Sequence, residues 1–557
     1  MLPTSKLTTK SAILSRTALA SLLTVGALTA AACSSSTATN RDAGDPVSGG
    51  AITVGIGTSP DCFDPQVSPA SQTSSIMRNV YDSLVYENSD GTFAPWLATA
   101  WTVSDDGLTY TFTLRDDVKF HDGTVFDAAS VKTNFDRIVA PSTASQFAGQ
   151  LISPYQSTDV VDARTAVVHL SSAYSPFLRA VSSTNLGFHS PRSITEHGDD
   201  LCQGGPVQVG TGPFVASSNS SGEGFSFTRN DDYQWAPTGV GHTGPARLDR
   251  VDFRILPESS IRLGALTSGE VDFIDQVAST DLASLQQNSA VDVNTKNPTG
   301  IPYTYFFNTS RAPFDDERAR LAVQKGIDLP TLTQGIFQGK YAPAGSPLNP
   351  AVFSYDDTLA KPWGYDADSA GALLDELGYT QRDADGYRTS GGKRFTIGLI
   401  YDPTYQKPER ITFDTAVQAA LKDLGIELTI EPIGNGTYID VRNSGAYDII
   451  AFAWSGTDPD VLRTIYGSDQ QFVDGGANAS QIHDAELDRL LQLGLSTSDT
   501  AARSEYYRDA QKLIIAKGYG LPAYVAPIVT ASSARVHDLG FATEILPNFY
   551  TAWTSGS

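Results

Sequence analysis

Alternation of apolar and polar residues predicts strands in both halves of the chain. Ala51–Ile56 and Thr109–Leu114 alternate in this way near the start. Further along, an apolar strand at 395–401, an amphipathic helix at 411–424 and a second strand at 426–430 follow one another. Since that order is typical of a β-α-β unit, the sequence predicts a parallel α/β region there.

Spacing of apolar residues, together with turn and cap residues, predicts the other elements. Helices are expected at about 74–81, after Asp127 or Ser130 as the capping residue, at 316–327, at 365–379 after Asp366 or Asp368, at 485–495 and at 500–516. Strands are expected at 225–233, 248–257, 302–314, 448–452 and 519–529. A chain of 557 residues with this many elements is long enough for two or three packed domains.

The charge of the chain excludes one class of partner. There are 39 Lys and Arg residues against 62 Asp and Glu residues, so the formal net charge is −23. Sequence-independent nucleic-acid binding requires a basic surface, and no nucleic-acid partner is expected. The excess of acidic residues is explained equally well by its effect on solubility.

The first 33 residues are predicted to lie outside the fold. Lys6, Lys10 and Arg16 precede an apolar stretch at 17–32 that ends in small residues before Cys33. This pattern resembles a bacterial lipoprotein signal, which implies removal of residues 1–32 and a lipid on the Cys33 thiol. An ordinary secretory signal and a single-helix anchor are the alternatives. Residues 33–50, rich in Ser, Thr, Gly and Asp, are expected to form a flexible tether.

Two cysteines remain once Cys33 is lipidated. Cys62 and Cys202 would then face an oxidising compartment, in which paired thiols oxidise. The sequence therefore predicts a disulfide between them, with two separate buried thiols as the alternative.

Motifs of catalysis and metal binding are absent from the sequence. There is no G-x-S-x-G, H-E-x-x-H, P-loop or C-x-x-C, and the seven histidines do not lie at metal-ligand spacing on one helix. No catalytic residue, metal or cofactor is therefore expected. The chain is predicted to bind a ligand rather than to act as an enzyme.

One segment, 95–135, carries a family resemblance. It combines an apolar cluster around Trp96 and Trp101, a turn at 105–107, a strand, a second turn at 121–123 and a capped helix. The order and spacing of these pieces closely resemble the family 5 extracellular solute-binding proteins, the peptide- and nickel-type receptors of ABC importers. The resemblance extends from about 51 to 550.

The resemblance implies an α/β fold of the periplasmic-binding-protein type: a two-lobed clamshell of type II, in the large cluster with an extra inserted domain. The expected division is a signal at 1–32, a tether at 33–50, lobe I at 51–76, an inserted small domain at 77–203, lobe I again at 204–300, lobe II at 301–518 and a return to lobe I at 519–557. Ligand is held between the lobes, whose closure gives the importer a distinct shape to recognise.

The same resemblance points to a cleft loop after a buried strand, Trp454-Ser455-Gly456-Thr457-Asp458. In peptide-binding relatives, an Asp three residues after this Trp pairs with the ligand's amino group. Here that position is Thr457, and Asp458 follows one place later as the candidate counter-charge. Core packing is the alternative for Trp454, and a turn-forming role for Asp458.

Four further candidates complete the expected binding site. Arg442 aligns with a ligand-side arginine of the relatives, with a surface ion pair as its alternative. Tyr303, Tyr305 and Asn308 belong to the crossing segment and either line the cleft or pack in the hinge, the latter being favoured.

The resemblance implies a monomeric, lipid-anchored receptor on the extracytoplasmic face of the cell membrane, or in the periplasmic space. Its expected partners are ABC importer permease subunits with their ATPase, and a small peptide or other small-molecule ligand. An oligosaccharide, an opine or a metal chelate is the alternative ligand. A sensor or adhesin that works without a transporter would have the same sequence features.

Overall fold

The protein is described by a computed structural model over residues 45–555, apart from 89–90, 221, 360–363, 404–405, 407, 475 and 542–546. The predicted signal, Cys33 and most of the tether lie outside the described residues. Within the described part, no helix has the length and apolar character needed to cross a membrane.

Strands run through the whole described chain. In chain order they are β1 Ala51–Ile56, β2 Val85–Glu87, β3 Phe93–Pro95, β4 Ala98–Val103, β5 Thr109–Leu114, β6 Tyr155–Asp162, β7 Thr165–Leu170, β8 Phe214–Ser220, β9 Gly224–Arg229, β10 Arg250–Ile255, β11 Phe273–Ile274, β12 Val291–Lys296, β13 Ile301–Phe307, β14 Ala342–Pro343, β15 Gln381–Arg382, β16 Arg388–Ser390, β17 Lys393–Arg394, β18 Thr396–Tyr401, β19 Glu427–Pro432, β20 Ile449–Trp454, β21 Gly520–Val525, β22 Ile528–Ser533, β23 Val536–His537 and β24 Trp553–Thr554.

Helices connect and cover these strands. In chain order they are α1 Ser71–Met77, α2 Ala128–Val139, α3 Ala148–Leu151, α4 Phe177–Ala180, α5 Pro191–His197, α6 Ser259–Ser268, α7 Leu282–Gln286, α8 Glu317–Lys325, α9 Leu329–Phe337, α10 Ala367–Glu376, α11 Pro408–Leu424, α12 Asn435–Ser444, α13 Val461–Tyr466, α14 Ala485–Ser496 and α15 Thr500–Ala516.

Side-chain caps fix where several helices begin. Of the two candidates before α2, Asp127 is the cap: its carboxylate accepts from the Ser130 backbone N–H at 2.8 Å, and the Ser130 hydroxyl completes a capping box. Asp366 caps α10 in the same way, accepting from the Ser369 N–H at 2.9 Å. Because these signals are local, they could be predicted from the sequence.

Two large sheets organise the chain. The first has the order β12-β22-β11-β1-β10-β9-β8, with β1 parallel to both β10 and β11. The second has the order β14-β21-β13-β20-β18-β19, with β18 parallel to both β19 and β20. Helix α11 connects β18 to β19, so the predicted β-α-β unit is confirmed.

Residues 77–203, called the insert below, contain a third sheet. Its order is β4-β5-β7-β6, and each neighbouring pair is antiparallel. One continuous apolar core joins it to the first sheet, since buried Val54 and Phe253 belong to the same cluster as Phe112 and Val168. The insert and the first sheet therefore share a hydrophobic core.

The predicted disulfide is present. Cys62, in the loop after β1, is bonded to Cys202 of the insert, and the Phe63 backbone N–H donates to the Cys202 carbonyl at 3.1 Å. This bridge adds a covalent link between the first sheet's exit loop and the insert.

The chain passes between the two large sheets at 297–300 and again at 526–527. A single strand was expected at 519–529, but β21 pairs with β13 in the second sheet and β22 with β11 and β12 in the first. Ala526 and Pro527 lie between them, where the chain leaves one sheet for the other. The strand expected at 302–314 likewise ends at Phe307, because the next residue, Asn308, accepts the Ser310 N–H and turns the chain.

Candidate functional site

Trp454 ends an inner strand of the second sheet at the point where the chain crosses between the sheets. It pairs with Ile301, the first residue of β13. Gly300 lies directly against it: a Cβ at this position would be 2.0 Å from the Trp454 carbonyl oxygen, and its φ of +87° favours glycine. The tryptophan itself stays 43% exposed, so it presents an aromatic surface to solvent beside the crossing.

Apolar and basic groups adjoin this aromatic surface. The Trp454 ring meets the Phe452 ring edge-on at 6.0 Å, and Phe452 packs in the same cluster as Phe472. The Arg442 guanidinium lies 4.5 Å from the Phe472 ring centroid, and it donates to the Asn443 side chain at 3.3 Å. Among the described residues, Arg442 has no carboxylate oxygen within 4.0 Å. The surface-ion-pair alternative for Arg442 therefore has no partner in this part of the chain.

The loop after Trp454 leads back into the protein. Ser455 is exposed, and Gly456 and Thr457 are half-buried. The side chain of Asp458 is only 14% exposed. The predicted cleft residues thus begin at the surface and end in a buried carboxylate.

Asp458 is held by two guanidiniums from distant parts of the sequence. Its Oδ2 accepts from Arg179 at 2.7 Å, and its Oδ1 accepts from Arg503 at 2.5 Å and from the Asp460 backbone N–H at 2.8 Å. Burial raises the pKa of the Asp458 carboxyl, but Arg503 and Arg179 outweigh burial and lower that pKa to about 2. Asp458 is therefore ionised, and each of its two oxygens is paired with a guanidinium.

The arginines connect the insert to the elements around the second sheet. Arg179 lies in α4 of the insert and also donates to Glu87 of β2 at 2.8 Å. Arg503 lies in α15 and donates to the Gly494 carbonyl at 2.9 Å. Two hydrogen bonds run alongside, from the Ser175 N–H to the Leu495 carbonyl at 2.8 Å and from the Ser175 hydroxyl to the Gly494 carbonyl at 3.0 Å.

A fourth ion pair, between Asp460 and Arg463, adjoins the pairs made by Arg179 and Arg503. Asp460 accepts from Arg463 at 3.0 Å and from the Tyr507 hydroxyl at 3.1 Å. Burial raises the pKa of Asp460 to about 6, against the opposing effect of Arg463. The group of three carboxylates and three guanidiniums is called the bridging ion cluster below, and its members are Glu87, Asp458, Asp460, Arg179, Arg463 and Arg503.

Tyr303 and Tyr305 of β13, and Asn308 directly after it, are buried. Tyr303 and Tyr305 are 2% and 3% exposed, and their hydroxyls donate to Asp414 at 3.2 Å and 2.6 Å. Burial raises the pKa of Asp414 to about 6, although these hydroxyls oppose the rise. Asn308 donates to the Gly445 and Tyr447 carbonyls, each at 2.9 Å. These contacts fit the packing alternative, and Tyr303 and Tyr305 lie in a different core cluster from Phe452.

Sequence reasoning missed the partners of Asp458. Arg179 and Arg503 lie 279 and 45 positions away from it, and neither belongs to a recognisable motif. A buried carboxylate requires a counter-charge, which signals that a partner exists without saying which arginine supplies it.

The described residues contain no group of three or more His, Cys, Asp or Glu side chains that could hold a metal ion. Direct coordination of a bare metal by protein side chains thus has no candidate in that part of the chain.

Comparison with known proteins places these features in context. The sequence profile of the bacterial extracellular solute-binding proteins, family 5 Middle, matches residues 92–473. A curated relative is the probable D,D-dipeptide-binding periplasmic protein DdpA of Escherichia coli K12, which is 28% identical over 476 residues and covers 83% of this chain and 86% of its own.

Two solved structures share the architecture. HbpA2 from Haemophilus parasuis superposes with a TM-score of 0.79 at 22% identity, covering 91% of this chain and all of its own. NikA from Brucella suis in complex with Fe(III)-EDTA superposes with a TM-score of 0.78 at 24% identity, with the same coverage. At this identity the likeness concerns the fold, and the expected two-lobed α/β fold is confirmed.

Proposed function

The chain belongs to family 5 of the bacterial extracellular solute-binding proteins, and on that basis we propose that it is the membrane-anchored receptor of an ABC importer. In this proposal the receptor captures peptides or peptide-like solutes in the cleft between its two lobes. It then delivers them to the permease subunits and acts by binding, without chemical change of the solute.

The observation that carries the proposal is the exposed Trp454 at the crossing between the two sheets. A large aromatic side chain that is 43% exposed gains little stabilisation from burial, so its exposure is an unusual feature. Its neighbours Phe452 and Phe472 extend the apolar surface. Aromatic surfaces with a few polar groups are typical of small-molecule sites. Arg442, with no carboxylate within 4.0 Å among the described residues, supplies a cation for an acidic group of the ligand.

A metal chelate is the second candidate ligand, and the resemblance to NikA in complex with Fe(III)-EDTA favours it. A chelate brings its own donor atoms, so the protein needs no cluster of metal-ligating side chains, and the described residues hold none. Oligosaccharides and opines suit an aromatic cleft as well. A role as sensor or adhesin without a transporter would use the same site.

A thermal-shift screen of the full-length chain tests the binding proposal. Di- to octapeptides are compared with oligosaccharides and metal chelates, and a ligand at 100 times its Kd should stabilise by roughly 2.7 kcal/mol. For any compound that binds, Trp454→Ala should weaken binding about tenfold, or roughly 1.4 kcal/mol. The matched control is Tyr365→Ala, which removes an aromatic residue that is 54% exposed elsewhere. Absence of any shift with all three classes would contradict the proposal.

Anchoring has its own test. The Cys33→Ser variant should move from the membrane fraction to the soluble extracytoplasmic fraction, because the thiol that carries the lipid is gone. Ser34→Ala is the control and should stay in the membrane fraction. If both variants remain membrane-bound, the lipid proposal fails while the binding proposal stands.

A further inference from the structure

We propose that Arg262 is a positioning residue of the receptor, which holds in place the backbone on the first-sheet side of the ligand cleft. The proposal rests on the proposed function and deepens it, because it concerns the side of the cleft opposite Trp454. Arg262 lies in α6 and is 3% exposed. It therefore acts through the loops that it binds rather than by touching the ligand.

The topology of the first sheet places four strand ends at the edge that faces the cleft. β1 is parallel to β10 and β11, and β12 runs the same way as β11 because both are antiparallel to β22. The carboxyl ends of all four strands thus lie at one edge, from which β12 leads into the crossing at 297–300. In open α/β sheets, ligands bind beyond the carboxyl ends of the strands. Residues 57–59, 256–258 and 275–277, called the edge loops below, follow β1, β10 and β11 at this edge.

Two contacts show that the edge loops face the other half of the protein. Lys340 follows α9, which packs in the core of the second sheet, and its ammonium donates to the Ser279 carbonyl just after the last edge loop. The Val277 N–H donates to the Val529 carbonyl at 3.1 Å, two residues after the crossing at 526–527. A ligand held between the two halves would therefore contact the edge loops.

A single guanidinium joins two of the edge loops. Nη1 of Arg262 donates to the Leu256 and Pro257 carbonyls, each at 2.7 Å. Its Nε donates to the Asp275 carbonyl at 3.4 Å, and its Nη2 donates to the Gln276 carbonyl at 3.2 Å. Because the guanidinium is planar and presents its donors in a fixed fork, these bonds set the loop after β10 relative to the loop after β11.

The third edge loop, after β1, is fixed to the same group. The Gly57 N–H donates to Asp275 Oδ1 at 2.9 Å, and this carboxylate oxygen lies 3.6 Å from Arg262 Nε. A Cβ at Gly57 would lie 2.8 Å from Arg262 Nη1, so the guanidinium fills the space beside this glycine. All three edge loops therefore take their position from Arg262.

The partners of Arg262 differ in kind from those of the bridging ion cluster. That cluster joins oppositely charged side chains at 2.5 to 3.0 Å. Arg262 instead binds four main-chain carbonyls, and a buried donor with such partners fixes the path of the backbone. Binding sites need their groups held to within roughly 0.5 Å by residues of this supporting kind.

Calorimetric titration of the full-length chain tests the proposal. The probes are a pool of tetrapeptides, maltotetraose and Fe(III)-EDTA, and the variants are compared on each probe that binds the wild type. Arg262→Met keeps a buried side chain but loses all four bonds to carbonyls. The edge loops are then no longer held before the ligand arrives, so binding should weaken by about tenfold or more.

The matched control is Arg320→Met. Arg320 is 5% exposed and donates to the main-chain carbonyls of Phe314 at 2.6 Å and Lys517 at 3.0 Å. Lys517 precedes β21, which runs parallel to β20, so these bonds lie at the edge of the second sheet away from Trp454. Arg320→Met should lower the unfolding temperature as Arg262→Met does, yet leave the affinity unchanged. Equal losses of affinity would reflect the removal of any buried arginine and would overturn the proposal.

A second pair of variants keeps every charge and decides the matter if Arg262→Met does not fold. Gly57→Ala places a methyl group against Nη1 of Arg262 and should weaken binding by about threefold or more. Gly264→Ala is its control, because a Cβ at this position of the same helix meets nothing within 4 Å. It should leave the affinity unchanged. Wild-type affinity in folded Gly57→Ala would contradict the role assigned to Arg262.

The two proposals fail in different ways. If none of the three probes binds the wild type, the receptor proposal fails and this inference fails with it. If a probe binds the wild type and binds Arg262→Met and Gly57→Ala equally tightly, only the inference about Arg262 is wrong. If both variants lose affinity and both controls keep it, the two proposals are supported together.

Discussion

Two buried carboxylates, Asp64 and Asp458, are each held by two basic side chains, yet they fasten different parts of the fold. Asp64 follows β1 of the first sheet, is 1% exposed, and accepts from Arg137 at 2.6 Å and from His189 at 3.1 Å. Both of these partners lie in the insert. Asp458 follows β20 of the second sheet, is 14% exposed, and takes one partner from the insert and one from α15.

Electrostatically the two carboxylates are alike. Burial raises the pKa of Asp64, but His189 and Arg137 outweigh burial and hold that pKa well below its usual range. The same balance lowers the pKa of Asp458 to about 2. Both side chains are therefore ionised and contribute to stability as ions.

The surroundings of the two carboxylates differ. Around Asp64, the insert also shares an apolar core with the first sheet and is bonded to it through Cys62 and Cys202. Around Asp458, the insert meets the second half of the chain through ion pairs and two hydrogen bonds of Ser175, and Leu495 packs against the margin of the shared core. Ion pairs, hydrogen bonds and a marginal apolar contact can be exchanged for water during opening, whereas a shared core and a disulfide cannot. The comparison predicts that the Asp64 region behaves as one rigid body and the Asp458 region as a releasable contact.

The largest effect is expected from removing the covalent link. Cys62→Ala combined with Cys202→Ala opens a bridge between residues 140 positions apart, which should lower the free energy of unfolding by about 5 kcal/mol in the chain-entropy description. Denaturant unfolding followed by circular dichroism measures it. Reducing agent should destabilise the wild type by a similar amount and leave the double variant unaffected. A loss below about 1 kcal/mol would show that the bridge does not fasten this region.

The next largest effect is expected at Asp64. Asp64→Asn leaves Arg137 buried without its counter-charge and should cost about 3–5 kcal/mol of unfolding free energy. Asp116→Asn is the control, because its ion pair with Arg164 lies in solvent with Asp116 65% exposed, and only a small change is expected. Equal losses in the two variants would contradict a structural role for the Asp64 group.

The comparison also shows what could be predicted from the sequence. Helix α15 was predicted with its correct bounds 500–516, and each of two caps was narrowed to two candidates, of which the structure shows Asp127 and Asp366. These features depend on neighbouring residues. The disulfide followed from there being only two cysteines after Cys33. Caps and helix ends depend on nearby residues, and the disulfide had only one possible pairing. These features can therefore be predicted without knowledge of the fold.

Long-range polar contacts could not be predicted from the sequence. Asp458 was singled out as a ligand group, but its partner Arg179 is 279 positions away and one of many arginines. The strand expected at 519–529 shows the same limit, because only the pairing of β21 and β22 with different sheets reveals the break at 526–527. The role of the cleft residues in ligand binding stays a prediction.

A smaller effect on unfolding is expected at Asp458. Asp458→Asn leaves Arg503 facing a neutral side chain, whereas Arg179 keeps Glu87 and the contact can open to water, so the cost should be about 1–3 kcal/mol. Its main effect should be on opening, seen as a larger radius of gyration of the ligand-free protein in X-ray scattering. Asp64→Asn should leave that radius unchanged while it remains folded. If Asp64→Asn opens the protein and Asp458→Asn does not, the prediction of a rigid Asp64 region and a releasable Asp458 contact is wrong.

The pH dependence of the Asp458 contribution has a definite sign. Its folded pKa of about 2 lies below the ordinary value of about 3.9 in an unfolded chain. The contribution is therefore complete above about pH 4 and is lost as the pH falls towards 2. The difference in stability between wild type and Asp458→Asn should shrink over this interval, and a difference that grows on acidification would contradict the ion-pair assignment.

The smallest effect is expected at Ser175, where a single hydroxyl reports on the releasable contact. Ser175→Ala removes the hydrogen bond to the Gly494 carbonyl and should cost about 1 kcal/mol or less. Ser171→Ala is the matched control, because the Ser171 hydroxyl donates to the Pro154 carbonyl within the insert. If the Ser175 contact is releasable, its loss should raise the radius of gyration of the ligand-free protein, whereas Ser171→Ala should affect only unfolding. Identical behaviour of the two variants in both measurements would mean that the insert is as firmly joined to the second half as it is to the first sheet.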